Sequence, residues 1–263
     1  MSEATDLDDG DDVDDQLTPT LDTKPTLVFV HGAFSDGTSW DAAVGQLGDH
    51  CPHRVFANPL RGIASDSAAL AGLLRSIEGP IILIGHSYGG ALVSQVGCVT
   101  EGVKALVYVA ALAPDAGESV GELVGRYAGS DLAAALSPTP LAEGGADLYV
   151  REDRYGPVLA ADLGPDEVLA LARRQRPAHS AALEEAVGAP AWRTLPSWFI
   201  YGDADRSLPP ALHAFMAHRA GAAGVEVVEG GSHSLHVSHP HRVMRFIERA
   251  AMAAEFPVPN LDP

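Results

Sequence analysis

The run Ile81-Ile82-Leu83-Ile84-Gly85-His86-Ser87-Tyr88-Gly89-Gly90 constrains this chain more than any other stretch. Its unbroken apolar start fits a strand buried on both faces, and Ala91-Leu92-Val93-Ser94 continues beyond it as a helix. Between the two lies Gly85-His86-Ser87-Tyr88-Gly89. A Gly-x-Ser-x-Gly pattern is weak alone, but between a buried strand and a helix it presents its serine on the tip of a sharp, strained turn. Glycine is needed at 85 and 89 because such a turn leaves no room for side chains two residues either side of Ser87.

Similar apolar runs recur at 26–30, 54–57, 105–111, 198–201 and 225–228. They alternate with stretches of helical periodicity at about 38–48, 65–78, 88–99, 208–220 and 239–254, rich in alanine and leucine and ended by Gly or Pro. Strands alternating with helices predict an α/β fold, with a mostly parallel sheet flanked by helices on both faces. The rhythm stops between Leu112 and Gly188, where no convincing strand is found and amphipathic pieces lie at 166–175 and 180–187. This stretch reads as a helical cap inserted into the sheet topology, roofing the crevice at the carboxyl ends of the strands and setting substrate choice while the core sets the chemistry. The expected division is an acidic tail over 1–23, a core over 24–112 and 189–263, and a cap over 113–188.

The tail carries half of the net charge. Residues 1–23 hold nine acidic residues and no basic one, out of a formal charge of -18, so self-repulsion and a lack of apolar residues favour disorder there. A field of that sign repels nucleic acid and anionic membranes, neither of which is an expected partner. No segment has the pattern of a signal peptide, and the longest apolar run is far too short to span a bilayer. Cys51 and Cys98 make no disulfide framework and have no metal-ligand spacing, so the reducing cytoplasm is the expected location.

A serine hydroxyl attacks only when a histidine takes its proton, and that histidine needs a carboxylate to fix its tautomer. On a sheet of this kind both come from loops after later strands. Residues 198–201 lead into Gly202-Asp203-Ala204-Asp205, and 225–228 lead into Glu229-Gly230-Gly231-Ser232-His233. Asp115, after the 105–111 run, is a third possible acid.

With these pieces in order, the chain resembles the α/β-hydrolase fold, over roughly 24–112 and 188–254. It is most similar to the small, cofactor-free esterase group that includes plant methyl-ester hydrolases and hydroxynitrile lyases, with their actinobacterial relatives. The matching stretches are HGAFSDGTSW at 31–40, GHSYGG at 85–90, YGDADRSLPP at 201–210 and GSHSLHVSHP at 231–240. The resemblance implies Ser87 as nucleophile, His233 as base and Asp205 as acid, with Asp203 and Asp115 as competitors for the last role. It also implies an oxyanion hole from the backbone N–H groups of Ala33 and Tyr88, with Phe34 neighbouring the first. The rings of Phe34 and Tyr88 either line an apolar substrate pocket or pack in the core. His31 and His86 read as structural histidines, and His236, His239 and His241 as packing and capping residues rather than metal ligands. No metal or organic cofactor is implied, and the substrate is a small, largely apolar ester or lactone. Two rivals use the same framework. One is a hydroxynitrile-lyase-type cleavage, which draws on a lysine near the base, whereas Lys24 and Lys104 are the only lysines here. The other is a ligand receptor with negligible turnover.

Overall fold

A strand that is apolar on every residue must be covered on both sides, and the central strands of this core are. In the computed structural model, which describes residues 24–48, 51–97 and 99–254, the strands are β1 (Thr26–Val30), β2 (His53–Phe56), β3 (Ile81–His86), β4 (Val103–Val109), β5 (Leu136–Pro140), β6 (Ala146–Val150), β7 (Ala178–His179), β8 (Ser197–Gly202) and β9 (Gly224–Val228). The helices are α1 (Asp41–Val44), α2 (Ile63–Leu74), α3 (Tyr88–Gly97), α4 (Val120–Gly125), α5 (Leu132–Ala135), α6 (Glu152–Leu159), α7 (Pro165–Arg174), α8 (Ala181–Glu184), α9 (Pro210–Arg219), α10 (Leu235–Ser238) and α11 (Pro240–Ala253). All six predicted runs form one sheet of order β2-β1-β3-β4-β8-β9, and every pairing within it is parallel. Alternate residues of each central strand face opposite layers. Val28, Val30, Leu83, Leu106 and Tyr108 pack with Leu92, Leu212 and Met216, while Leu27, Phe29, Ile82, Ile84 and Val107 pack with Trp40, Val243 and Phe246. The outer strands β2 and β9 are partly exposed, as edges are.

The chain order reverses beside β1, whose sequence successor β2 lies on one side and β3 on the other. The loops after β1 and β3 therefore diverge at a switch point, where open parallel sheets leave a crevice at the carboxyl ends of their strands. Ser87 follows β3 there, and the 31–34 loop follows β1.

Between β4 and β8 the expectation of an all-helical stretch is corrected. Helices α4–α8 are present, but β5, β6 and β7 form an antiparallel three-stranded sheet of order β5-β6-β7. Two features hide it. Pro138 and Pro140 lie in β5, where the missing N–H groups are tolerated because β5 is an edge strand, and β7 has only two residues.

The turn at Ser87 shows why its glycines are required. A Cβ on Gly89 would sit 2.4 Å from the Val30 carbonyl oxygen, and one on Gly85 would sit 2.8 Å from the Gly89 carbonyl oxygen. Gly89→Ala must therefore push α3 off β1. It should lower stability in urea unfolding by about 3 kcal/mol, as overpacking against rigid backbone does, whereas an unchanged midpoint would mean that this close approach is not part of the native fold.

Among the described residues, no helix is long and apolar enough to cross a membrane. Cys51 is buried, which pushes its thiol up to about 11. Cys98 and the 1–23 segment lie outside the described residues.

Candidate active site

Ser87 has φ 52°, a left-handed conformation that L-residues other than Asn and Asp seldom adopt. Two backbone donors hold its carbonyl, Gly90 N–H at 3.0 Å and Leu112 N–H at 3.1 Å, so the strain is fixed by the start of α3 and the strand exit of β4. The side chain is thereby turned to His233, with Ser87 Oγ 2.9 Å from Nε2. On the other side of the ring, Nδ1–H donates to Asp205 Oδ2 at 2.8 Å. An ionised carboxylate only accepts, so this bond keeps the ring proton on Nδ1 and leaves Nε2 bare towards the serine hydroxyl.

The loops that carry the acid and the histidine are pressed together. A Cβ on Gly202 would lie 1.9 Å from the Gly231 carbonyl oxygen, and Ala204 N–H donates to that same oxygen at 3.1 Å. Asp205 is 2% exposed. Its Oδ1 accepts from the N–H groups of Ser207 and Leu208 at 2.8 and 2.9 Å, and its Oδ2 accepts a second ring proton from His213 Nε2 at 3.1 Å. Burial alone would raise this carboxyl, but its electrostatic interaction with the neighbouring His233 and the two histidine hydrogen bonds outweigh it and hold the group well below the usual carboxylate range. Neither competitor reaches the histidine. Asp203 accepts from Gly230 N–H at 2.7 Å, and Asp115 is engaged by the guanidinium of Arg193.

The 31–34 loop approaches the serine closely, since a Cβ on Gly32 would lie 2.6 Å from Ser87 Cβ. His31 is built into that loop. Asn58 N–H donates to its Nε2 at 3.0 Å, so its proton sits on Nδ1 and is given to the Gly32 carbonyl at 2.9 Å. Ala33 follows directly, and Tyr88 opens α3, so its N–H has no partner within that helix. Phe34 has φ 60° and is 3% exposed. Tyr88 points into the core, where its hydroxyl donates to the buried Asp66 at 2.9 Å. Of the two readings open for the Tyr88 ring, the geometry has core packing.

The remaining histidines do not converge on one point. His86 gives its Nε2 proton to the His233 carbonyl at 3.1 Å, so it steadies the backbone of that residue. His236 is buried between His86 and Trp40, with ring centroids at 4.1 and 4.5 Å, and burial pushes it down to about 3. His239 faces Ser238, and His241 is exposed.

The inserted segment takes part in the site, which the division of labour read from sequence does not anticipate. Tyr155 of α6 donates its hydroxyl proton to the Phe34 carbonyl at 3.2 Å. Just beyond α6, Asp162 accepts from the N–H of Ser232 at 3.0 Å and from its hydroxyl, while the Leu159 carbonyl accepts from Ser234 N–H at 2.8 Å. Both neighbours of His233 are thus held by the insertion. Sequence reasoning missed Tyr155, Asp162, Asp66 and His213. Only His213 carries a local signal, because it shares the buried face of α9 with Leu212 and Met216.

Comparisons with known proteins agree with this architecture. Residues 27–246 match the alpha/beta hydrolase family. No curated protein matches the chain. Among solved structures, the chain is similar to polyneuridine aldehyde esterase, with 18% identity, TM-score 0.72, and coverage of 85% of this chain and 97% of that one. A methylesterase from Arabidopsis gives 18%, 0.72, 87% and 99%, and a pyrethroid hydrolase from Sphingobium faniae gives 22%, 0.69, 89% and 98%. At these identities the likeness is one of fold. The family match itself runs from β1 into α11, and the chain belongs to the alpha/beta hydrolase family.

Proposed function

We propose that the protein is a serine hydrolase that cleaves a carboxylic ester or lactone through an acyl-enzyme. The observation that carries this reading is the aligned series from Ser87 Oγ through the His233 ring to a buried, ionised Asp205. In the proposed reaction Ser87 Oγ attacks the carbonyl carbon as its proton passes to His233 Nε2. The oxygen of the tetrahedral intermediate is received by the N–H groups of Tyr88 and Ala33, each donor lowering the barrier by about 3 kcal/mol. Collapse expels the alcohol, which takes the proton from Nε2. Water then attacks the acyl carbon, gives a proton to the same nitrogen, and the acid leaves as Ser87 recovers its hydrogen. Asp205 stays ionised throughout. Every step of the proposed reaction uses groups of the chain itself, and the reducing cytoplasm is the proposed location.

An apolar substrate is proposed from a cavity of about 300 Å³ in the inserted segment, the proposed cap over 113–188, lined by Val120, Val124, Tyr127, Leu132, Leu136 and Leu183 but by neither Ser87 nor His233. Its wall is bonded to the acid loop, with Ser130 Oγ–H donating to the Ser207 carbonyl and Asp131 N–H to the Arg206 carbonyl, both at 2.8 Å. A substrate substituent of several carbons is proposed to enter there, with Phe34 beside the acyl group. The lyase alternative lacks its cation. The residue after His233 is Ser234, Lys104 lies at the amino end of β4, and Lys24 precedes β1, both remote from the carboxyl ends where the site lies.

The test is fluorophosphonate labelling followed by p-nitrophenyl esters of graded acyl length. One label per chain on Ser87 and a burst of nitrophenol before steady turnover are expected. Labelling without turnover would favour a ligand receptor on this fold, and no labelling would remove the nucleophile.

A further inference from the structure

Asp205 Oδ2 is shared by two buried imidazoles. His233 Nδ1 lies 2.8 Å away and His213 Nε2 lies 3.1 Å away, with the side chains of all three residues no more than 3% exposed. We infer that His213 is a positioning residue for the reaction: as a neutral Nε2–H donor it clamps the acid from the side opposite His233 and limits how strongly that carboxylate holds the ring proton of the base. The inference rests on the triad reading above.

Three observations carry it. First, each carboxylate oxygen accepts two hydrogen bonds, so the four acceptor positions of Asp205 are all filled and it has one orientation. Without His213, Oδ2 has a single partner and the carboxylate can turn about its Cβ–Cγ bond. Second, the His213 ring is itself fixed. It stacks on Tyr201 of β8 with centroids 4.7 Å apart and planes 13° apart, and it sits in the first turn of α9, directly after the acid loop. Third, His213 brings no charge at neutral pH, because burial lowers its affinity for a second proton despite the neighbouring carboxylate. It therefore draws on the Asp205 charge as a dipole and does not cancel it.

The consequence is electrostatic. A carboxylate with a competing donor on the same oxygen is a weaker partner for the His233 imidazolium than one whose charge is concentrated on a single bond. Removing His213 should strengthen that bond while loosening its geometry. The groups that face the base are few. Asp205 comes from the β8–α9 loop, His86 from β3 and His236 from α10, and burial keeps both of these histidines neutral. Around His213 are Asp205 and Tyr201, whose hydroxyl is raised by burial. Arg206, next to the acid in sequence, is turned away to Asp131.

The experiment compares His213→Leu, His213→Gln and His213→Asn in the full chain, with kcat and the pH profile of kcat/KM on a p-nitrophenyl ester. Leucine fills the site without a donor, glutamine carries an N–H as far as Nε2, and asparagine is polar but one bond too short. The expected result is a roughly tenfold fall in kcat for His213→Leu, the scale of one hydrogen bond to a charged group, together with an acidic limb displaced to higher pH. His213→Gln should restore both. If His213→Leu does not fold, the pair Gln and Asn decides, with rescue by Gln alone supporting the inference. Wild-type kcat and limb in His213→Leu, or equal behaviour of Gln and Asn, would overturn it. A wild-type chain whose Ser87 takes no fluorophosphonate label would instead overturn the triad reading.

Discussion

Ser87→Ala is expected to abolish fluorophosphonate labelling and to lower ester turnover by roughly 10⁴- to 10⁶-fold. Alanine keeps the backbone as it is, since a residue with a Cβ already occupies φ 52° there, and the Gly90 and Leu112 bonds to the carbonyl of residue 87 do not involve the side chain. Only the hydroxyl bonded to His233 Nε2 is removed. Circular dichroism and the urea midpoint should therefore stay near wild type while the burst disappears. The residual rate above background would come from the two proposed oxyanion donors and from binding, which the substitution leaves in place. Turnover at the wild-type rate would refute the mechanism outright.

Asp205→Asn should cost about 10⁴-fold in kcat, the scale found when such a histidine is left in the wrong tautomer. The geometry says why. The carboxylate uses one oxygen for two backbone N–H groups and the other for two ring N–H groups, and asparagine has one oxygen to offer. If that oxygen stays on Ser207 and Leu208, the amide NH₂ faces His233. The ring must then bare Nδ1 and carry its proton on Nε2, where it faces Ser87 as a donor and cannot accept. If the side chain turns over, two buried backbone donors lose their partner. Single-turnover kinetics separate this defect from weakened substrate binding. A larger loss in Asp203→Asn or Asp115→Asn would transfer the role of the acid, although neither carboxylate touches the histidine ring.

Much of this was readable from the chain because parallel strands buried on both faces are written as continuous apolar runs. Residues 81–86 and 105–109 have no competing interpretation at that length once helices flank them. The candidate triad was readable for a related reason, since Ser87, Asp205 and His233 each follow such a strand within a few residues and the sheet order brings those strand ends together. What escaped depends on contacts between distant segments. Asp66 and Tyr88 are 22 positions apart, and Tyr155 meets Phe34 across 121. A lone tyrosine or aspartate in a helical stretch carries no mark of such a partner. The hairpin of β5 and β6 escaped because its prolines and its lack of any buried–exposed alternation look like loop.

The links from α6 and the residues after it to Phe34, Ser232 and Ser234 bear on how such an enzyme can be redesigned. A module that only roofed the crevice could be exchanged wholesale between relatives to transplant selectivity. Here the same segment holds the Phe34 carbonyl and both neighbours of His233, so an exchange is expected to lower rate as well as change preference. The wall formed by α4, α5 and α8 is tied to the 206–207 loop through Ser130 and Asp131, so variation of its apolar lining side chains leaves both those bonds and the α6 tethers intact. A library aimed at the substituent proposed to enter that cavity belongs at Val124, Tyr127, Leu132 and Leu183, with Tyr155 and Asp162 held constant.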